Sequence, residues 1–242
     1  LAICDQEERR RIMRKYFIFD KLKEEGRSLL TEFESKELLK QAGIPVVETR
    51  LAKNQKEAVL LSQKIGFPVA LKIASPDVIH KTDSGGVKLS LNKVAEVKAA
   101  HNEIMKAVRK QYPNALIHGI SVQKMVRPGT EVIVGTSKDP QFGPVIMFGL
   151  GGIFVELLKD VSFRIIPIVR KDAEEMIKEI KGYPLLQGYR GKEPSNIPAL
   201  VEMILKISNL IEENPQIKEL ELNPIFAYRD SALAVDARIV LE

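Results

Sequence analysis

The chain has one cysteine, no tryptophan and three histidines among 242 residues. A single thiol, Cys4, cannot form a disulfide within the chain, and no Cys/His spacing suits zinc. That scarcity fits a reducing compartment. No apolar run reaches the roughly 20 residues a membrane span needs, and residues 1–15 are charged throughout. Neither membrane insertion nor a secretory leader is expected, so the expected location is the cytoplasm. Aromatic residues are also scarce, at 6%, and the basic residues are interleaved with acids. No basic stripe with interspersed aromatics marks a nucleic-acid surface. The mild net charge of +5 suits an anionic small ligand or an acidic partner.

What is present is an alternation of helical and strand patterns, with no internal repeat. Residues 1–30 form an N-terminal helical extension with a thin apolar stripe. Thr31 and Glu34 have the spacing of a capping box, and the helix that follows stops at Gly43. A helix over 56–65 ends at Gly66, and Val69–Ile73 is a short apolar strand. Further strands are expected at 87–91, 119–125, 131–137, 142–150 and 164–169. Helices are expected at 94–112, 171–180 and 199–214, and a final strand pair at 220–227 and 233–239. Helices mixed with adjacent hairpin-like strands indicate a mixed α/β (α+β) fold with antiparallel sheets, in two lobes. The first lobe spans 31–122, with a polar loop at 74–86. The second spans 123–242.

Three constellations bear chemistry. The first is the loop containing Ser75-Pro76-Asp77-Val78-Ile79-His80-Lys81-Thr82-Asp83-Ser84-Gly85-Gly86. His80 is an imidazole on a polar loop, able to act as a neutral nucleophile near neutral pH. Lys72 on the preceding strand is either a solvent-face lysine or a cation aimed at phosphate oxygens. Gly85 and Gly86 tolerate positive φ and can leave backbone N–H groups free for an anion. The second constellation is Gln123-Lys124-Met125-Val126, a turn, then Glu131-Val132-Ile133-Val134. It is either a plain β-hairpin or an adenine edge with Glu131 on the ribose hydroxyls. The third is Glu219-Leu220-Glu221-Leu222-Asn223-Pro224, whose period of two places Glu221 and Asn223 on one face. With Asp236 on the adjoining strand these oxygens suit Mg²⁺, unless the face is merely solvated. His101 and His118 read as surface or capping residues.

Together with Asp139-Pro140-Gln141-Phe142-Gly143-Pro144 and Phe148-Gly149-Leu150-Gly151-Gly152-Ile153-Phe154-Val155-Glu156, these segments resemble the β subunit of ADP-forming acetyl-CoA synthetase. The resemblance covers essentially residues 31–242. It implies an ATP-grasp fold related to succinyl-CoA synthetase, with the nucleotide held between two lobes. It also implies the reaction acyl-CoA + ADP + phosphate ⇌ acid + CoA + ATP. A partner α subunit would bind CoA and the acyl group, in an α2β2 assembly, and would first receive the phosphoryl group on its own histidine. His80 would then carry that group to ADP. By the same resemblance Lys72 serves phosphate, Gln123, Val126 and Glu131 contact adenine and ribose, and Asn223 and Asp236 hold Mg²⁺. Glu221 holds either the metal or the phosphohistidine.

Half of the 74–86 loop, at roughly 3.3–3.6 Å per residue, gives His80 a reach of about 20 Å. Val78 and Ile79 are its only apolar anchors, and Gly85-Gly86 offers a hinge. Two other readings compete: an ATP-grasp carboxylate–amine ligase that needs no histidine carrier, and a non-catalytic nucleotide-binding subunit.

Overall fold

The computed structural model describes residues 18–78, 80–152, 158–191 and 193–242. Cys4 and the rest of residues 1–17 therefore lie outside the described residues. The elements begin with α1 (residues 18–24), α2 (Glu32–Gln41), β1 (Thr49–Ala52), α3 (Gln55–Ile65), β2 (Val69–Ala74), β3 (Val87–Leu91) and α4 (Val94–Gln111). They continue with β4 (Gly119–Lys124), β5 (Thr130–Asp139), β6 (Gly143–Leu150), β7 (Val161–Ile165), α5 (Arg170–Glu179) and α6 (Tyr183–Leu186). The last are α7 (Ile197–Glu213), β8 (Ile217–Ala227), β9 (Ala232–Ala234) and β10 (Ala237–Leu241). Among the described residues, no helix is long and apolar enough to cross a membrane.

Two compact units form. The smaller contains Thr31–Phe33 and Val47–Arg127; the larger contains residues 18–30, Glu34–Val46 and Pro128–Glu242. The smaller unit is a four-stranded antiparallel sheet in the order β1-β4-β2-β3. Helix α4 places Val97, Ala100, Ile104 and Val108 at helical spacing, and these pack with Val69, Leu71, Ile73, Ile120 and Val122. The stop of α3 is chemical. Gly66 takes φ +86° and its N–H returns to Ser62 O, a turn that a residue with a Cβ rarely adopts.

The larger unit has a six-stranded antiparallel sheet whose path runs β10-β8-β5-β6-β7, with β9 on β8. Leu220, Leu222 and Ile225 point inward, and α7 covers that core with Leu200, Ile204, Ile207 and Ile211. Glu34 does not sit at solvent. It accepts from Lys21 Nζ and Arg27 Nη2, each at 3.1 Å, which ties α2 to the chain before it.

Several elements depart from the sequence pattern. Of the two readings of 119–137 the plain hairpin does not hold, because β4 lies between β1 and β2 in one sheet while β5 pairs with β6 and β8 in the other. Strand β7 ends at Ile165, earlier than expected. Ile166 N still reaches Pro144 O, but Pro167 has no N–H to continue the ladder. The last strand is split: β9 pairs with Ile225–Ala227, whereas β10 pairs with Ile217–Leu222. Helix α6 had no periodic signal, being only four residues long.

The most consequential local feature is Lys72. It is not on a solvent face, since all six residues of β2 are buried. A buried ammonium needs a partner, and Glu32 at the start of α2 supplies one. Glu32 Oε1 accepts from Lys72 Nζ at 2.7 Å, and Oε2 accepts from Lys81 Nζ at 3.0 Å. The Glu32 side chain is 3% exposed and that of Lys72 9%. Removing one member of a buried pair leaves the other charge unpaired. Glu32→Gln should therefore lower unfolding free energy by about 3 kcal/mol in urea titration. The double variant Glu32→Leu/Lys72→Met should recover most of that loss.

Candidate active site

The His80 loop is an excursion between neighbouring antiparallel strands, with Lys72 of β2 opposite Val87 of β3. Its two ends are pinned. On the first side Asp77 N donates to Ser75 Oγ at 3.2 Å, and Asp77 Oδ2 accepts from Leu116 N at 2.6 Å. Val78 is buried in the core of the smaller unit; Ile79, the other expected apolar anchor, lies outside the described residues. On the second side Lys81 is held by Glu32, Ser84 Oγ donates to Lys81 O at 2.9 Å, and Ser84 N to His80 O at 3.2 Å. Between these anchors His80 is exposed.

Gly85 and Gly86 correct an expectation. Their N–H groups are not free for an anion: Gly85 N donates to Thr82 O at 3.0 Å and Gly86 N to Lys81 O at 2.7 Å. Gly85 has φ +67°, as the turn requires. Gly86 is a close-packing position instead, because a Cβ there would meet Ile73 Cγ2 at 2.7 Å and Lys81 O at 2.9 Å. Its carbonyl also closes the loop onto β2 through Ile73 N at 2.7 Å.

At the base of this loop the Glu32 carboxylate accepts from both Lys72 and Lys81. Lys81 is the outer member, its side chain 21% exposed. Within this unit Gln123 is buried on β4, with Thr49 and Ala70 as its cross-strand neighbours. The ladder of β4 ends at Lys124. Met125 N then goes to Pro68 O at 3.1 Å, and Val126 follows, half-buried.

In the larger unit Glu131 lies near the start of β5, exposed, with Phe226 across the ladder. Gly151 and Gly152 run close beside it. Gly151 N donates to Glu131 O at 2.8 Å, and a Cβ on Gly152 would come within 3.2 Å of Glu131 Oε2. The glycines of this motif thus let backbone approach a carboxylate. The rest of the motif, residues 153–157, lies outside the described residues.

The expected oxygen cluster is placed by β8. Leu220 and Leu222 are buried, while Glu221 and Asn223 share the opposite face. Asn223 Nδ2 donates to Glu221 Oε1 at 3.1 Å, which turns the amide oxygen of Asn223 away from that carboxylate. The cross-strand neighbour of Glu221 on β5 is Gly135, so no side chain stands beside it there. Asp236 sits in the break between β9 and β10. Ala237 pairs with Leu222, and Val235 N reaches Pro224 O at 2.9 Å, so Asp236 falls opposite Asn223. Asp236 Oδ1 accepts from Ala237 N at 2.8 Å. Two carboxylates and one amide are few ligands. Among the described residues no group of three or more His, Cys, Asp or Glu is disposed to hold a metal ion. Such a sparse set of hard oxygens fits Mg²⁺, which keeps several waters and substrate oxygens in its shell.

Sequence reasoning missed two features here. Glu32, the partner of Lys72, is 40 residues away in sequence and carries no local signal. His101 is not a surface or capping residue but a half-buried one, with Nδ1 buried and lacking a hydrogen-bond partner.

The comparisons with known proteins agree with this architecture. A family model for the ATP-grasp domain matches residues 21–241. The β subunit of acetate–CoA ligase [ADP-forming] I from Pyrococcus furiosus is 53% identical over 231 residues, covering 96% of this chain and 99% of that one. Two solved structures of Ca. Korarchaeum cryptofilum dinucleotide forming acetyl-coenzyme A synthetase 1 are also similar. One, with coenzyme A, acetyl-coenzyme A and a phosphorylated phosphohistidine segment in the site I orientation, superposes with TM-score 0.89 at 48% identity, covering 94% of this chain and all (100%) of that one. The other, with coenzyme A and Mg-AMPPCP, has its phosphohistidine segment pointing towards the nucleotide binding site; it gives TM-score 0.84 at 46% identity, with coverage of 94% and 100%. The chain belongs to the ATP-grasp family and, within it, to the β subunits of ADP-forming acetate–CoA ligase.

Proposed function

We propose that this subunit relays a phosphoryl group through His80 between a partner α subunit and ADP, completing acyl-CoA + ADP + phosphate ⇌ acid + CoA + ATP. The observation that carries the reading is the setting of His80. It is an exposed imidazole midway along a loop fixed at both ends, in a chain 46–48% identical to structures whose matching enzyme has a phosphohistidine segment. In the ATP-forming direction, a P–N bond to the partner's histidine breaks as a P–N bond to His80 forms. An oxygen of the terminal phosphate of ADP then attacks phosphorus. The bond to His80 breaks, and the imidazole keeps the electron pair. The phosphoryl group stays bonded to nitrogen or oxygen throughout, which suits a reversible transfer.

The other residues receive roles by their chemistry. Lys72 and Lys81 place two ammonium groups at the base of the phosphoryl carrier's loop, and Lys72 acts through their field. Such fixed charge stabilises phosphoryl transfer without reorganisation. The backbone of Gly85 and Gly86 shapes the loop and takes no part in holding phosphate. Gln123 and Val126 meet the adenine, and Glu131 the ribose hydroxyls. Asn223 and Asp236 hold Mg²⁺, and Glu221 either joins them or orients the phosphohistidine. The metal, when bound, neutralises the phosphate oxygens around the transferring group.

Three variants test this reading. With the α subunit present, His80→Ala should lower ATP formation from acetyl-CoA, ADP and phosphate by about 10³-fold or more. Its ADP affinity should stay within about twofold of wild type, because the exposed imidazole contributes little ground-state binding. Full turnover by that variant would replace the relay with direct chemistry of the carboxylate–amine ligase type. Asp236→Asn should raise the Mg²⁺ concentration for half-maximal rate by roughly 10-fold or more. If Glu221 joins the metal, Glu221→Gln raises it similarly; if Glu221 orients the imidazole, the variant lowers only the maximal rate.

A further inference from the structure

We infer that the smaller unit carries a second ligand site, a pocket on the flank of α4 that takes a small phosphate-bearing molecule. The pocket has a volume of about 430 Å³ and is lined by three stretches of chain. Helix α4 presents His101, Met105 and Arg109, spaced i, i+4 and i+8 and so on one flank. The turn before α3 presents Lys53, Asn54 and Gln55, and the approach to β4 presents Ile117, Gly119 and Ile120. None of these residues belongs to the His80 relay or to the oxygen cluster of β8.

Its chemistry points to an anion. Three basic side chains line the pocket and no carboxylate does, although the chain has 32 Asp and Glu. Near the α3 turn, Glu57 spends its carboxylate on Lys53 N at 2.8 Å and Asn54 Nδ2 at 3.1 Å, and Glu103 on α4 pairs with Lys88. Among the described residues neither Lys53 Nζ nor the Arg109 guanidinium has an ion-pair partner. His101 Nδ1 is buried and unpaired. Burial pushes the imidazole below its usual range. An anion in the pocket would favour its charged form.

The walls are already in place. Gln55 Nε2 donates to Lys98 O at 3.1 Å and to Asn102 Oδ1 at 2.9 Å, fastening the turn to α4. Guanidinium, ammonium and imidazolium donors around one space match the several oxygens of a phosphate better than the two of a carboxylate. Met105, Ile117 and Ile120 give the rest of such a molecule an apolar wall.

The test uses the full chain with ¹³C-labelled histidine, whose three ring signals are assigned from His80→Ala and His101→Asn variants. Inorganic phosphate, titrated at constant ionic strength, should shift the His101 signal saturably and raise its titration midpoint by about one unit or more. Acetate should not. Arg109→Ala should weaken the phosphate response at least about tenfold, while Glu221→Gln should leave it unchanged, so failure here is distinguishable from failure of the relay. A His101 signal unmoved by phosphate, moved equally by acetate, or insensitive to Arg109→Ala would overturn the proposal.

Discussion

The smaller unit depends on one carboxylate. Glu32 receives Lys72 on one oxygen and Lys81 on the other. This joins the first turn of α2, a strand buried on both faces and the second arm of the His80 loop. Burying Lys72 alone would be costly, and the ammonium would tend to lose its proton. Glu32 supplies the partner on one oxygen and takes Lys81 on the other. These paired ammonium groups sit at the base of a loop whose proposed cargo is an anionic phosphoryl group. Structure and chemistry therefore draw on the same interaction.

The loop is held more firmly than its composition suggests. Asp77 caps Leu116 N, Val78 enters the core, and Gly86 closes on Ile73. His80, Thr82 and Asp83 between these anchors face solvent. A relay must let the imidazole travel while keeping its attachment to the fold. Anchors at both ends with an exposed middle meet that need better than a uniformly loose segment. The Lys81–Glu32 contact is the natural release point, since Lys81 is the most exposed member of the cluster.

Much of the fold was legible because the periodic signals were strong. Helices α3, α4, α5 and α7 and strands β2, β3, β6 and β8 lie within a few residues of their expected spans. Alternation alone placed Glu221 and Asn223 on one face of β8. What the sequence hid was pairing. Proximity along the chain left a β4–β5 hairpin open as one reading, yet the two strands serve different sheets. The pairing of Lys72 with Glu32 depends on a contact between residues distant in sequence. Gly85-Gly86 had the look of an anion cradle, but the turn uses those amides itself. His101 looked ordinary because part of its surroundings comes from β4 and the α3 turn, distant in sequence.

The account stands on the claim that His80 carries the phosphoryl group. Incubation of the chain with its α subunit, Mg²⁺ and γ-labelled ATP, followed by peptide mapping, tests it directly. The account predicts acid-labile, base-stable label on His80. A wild-type β chain that remains unlabelled under these conditions, or label confined to any other residue of it, would contradict the account.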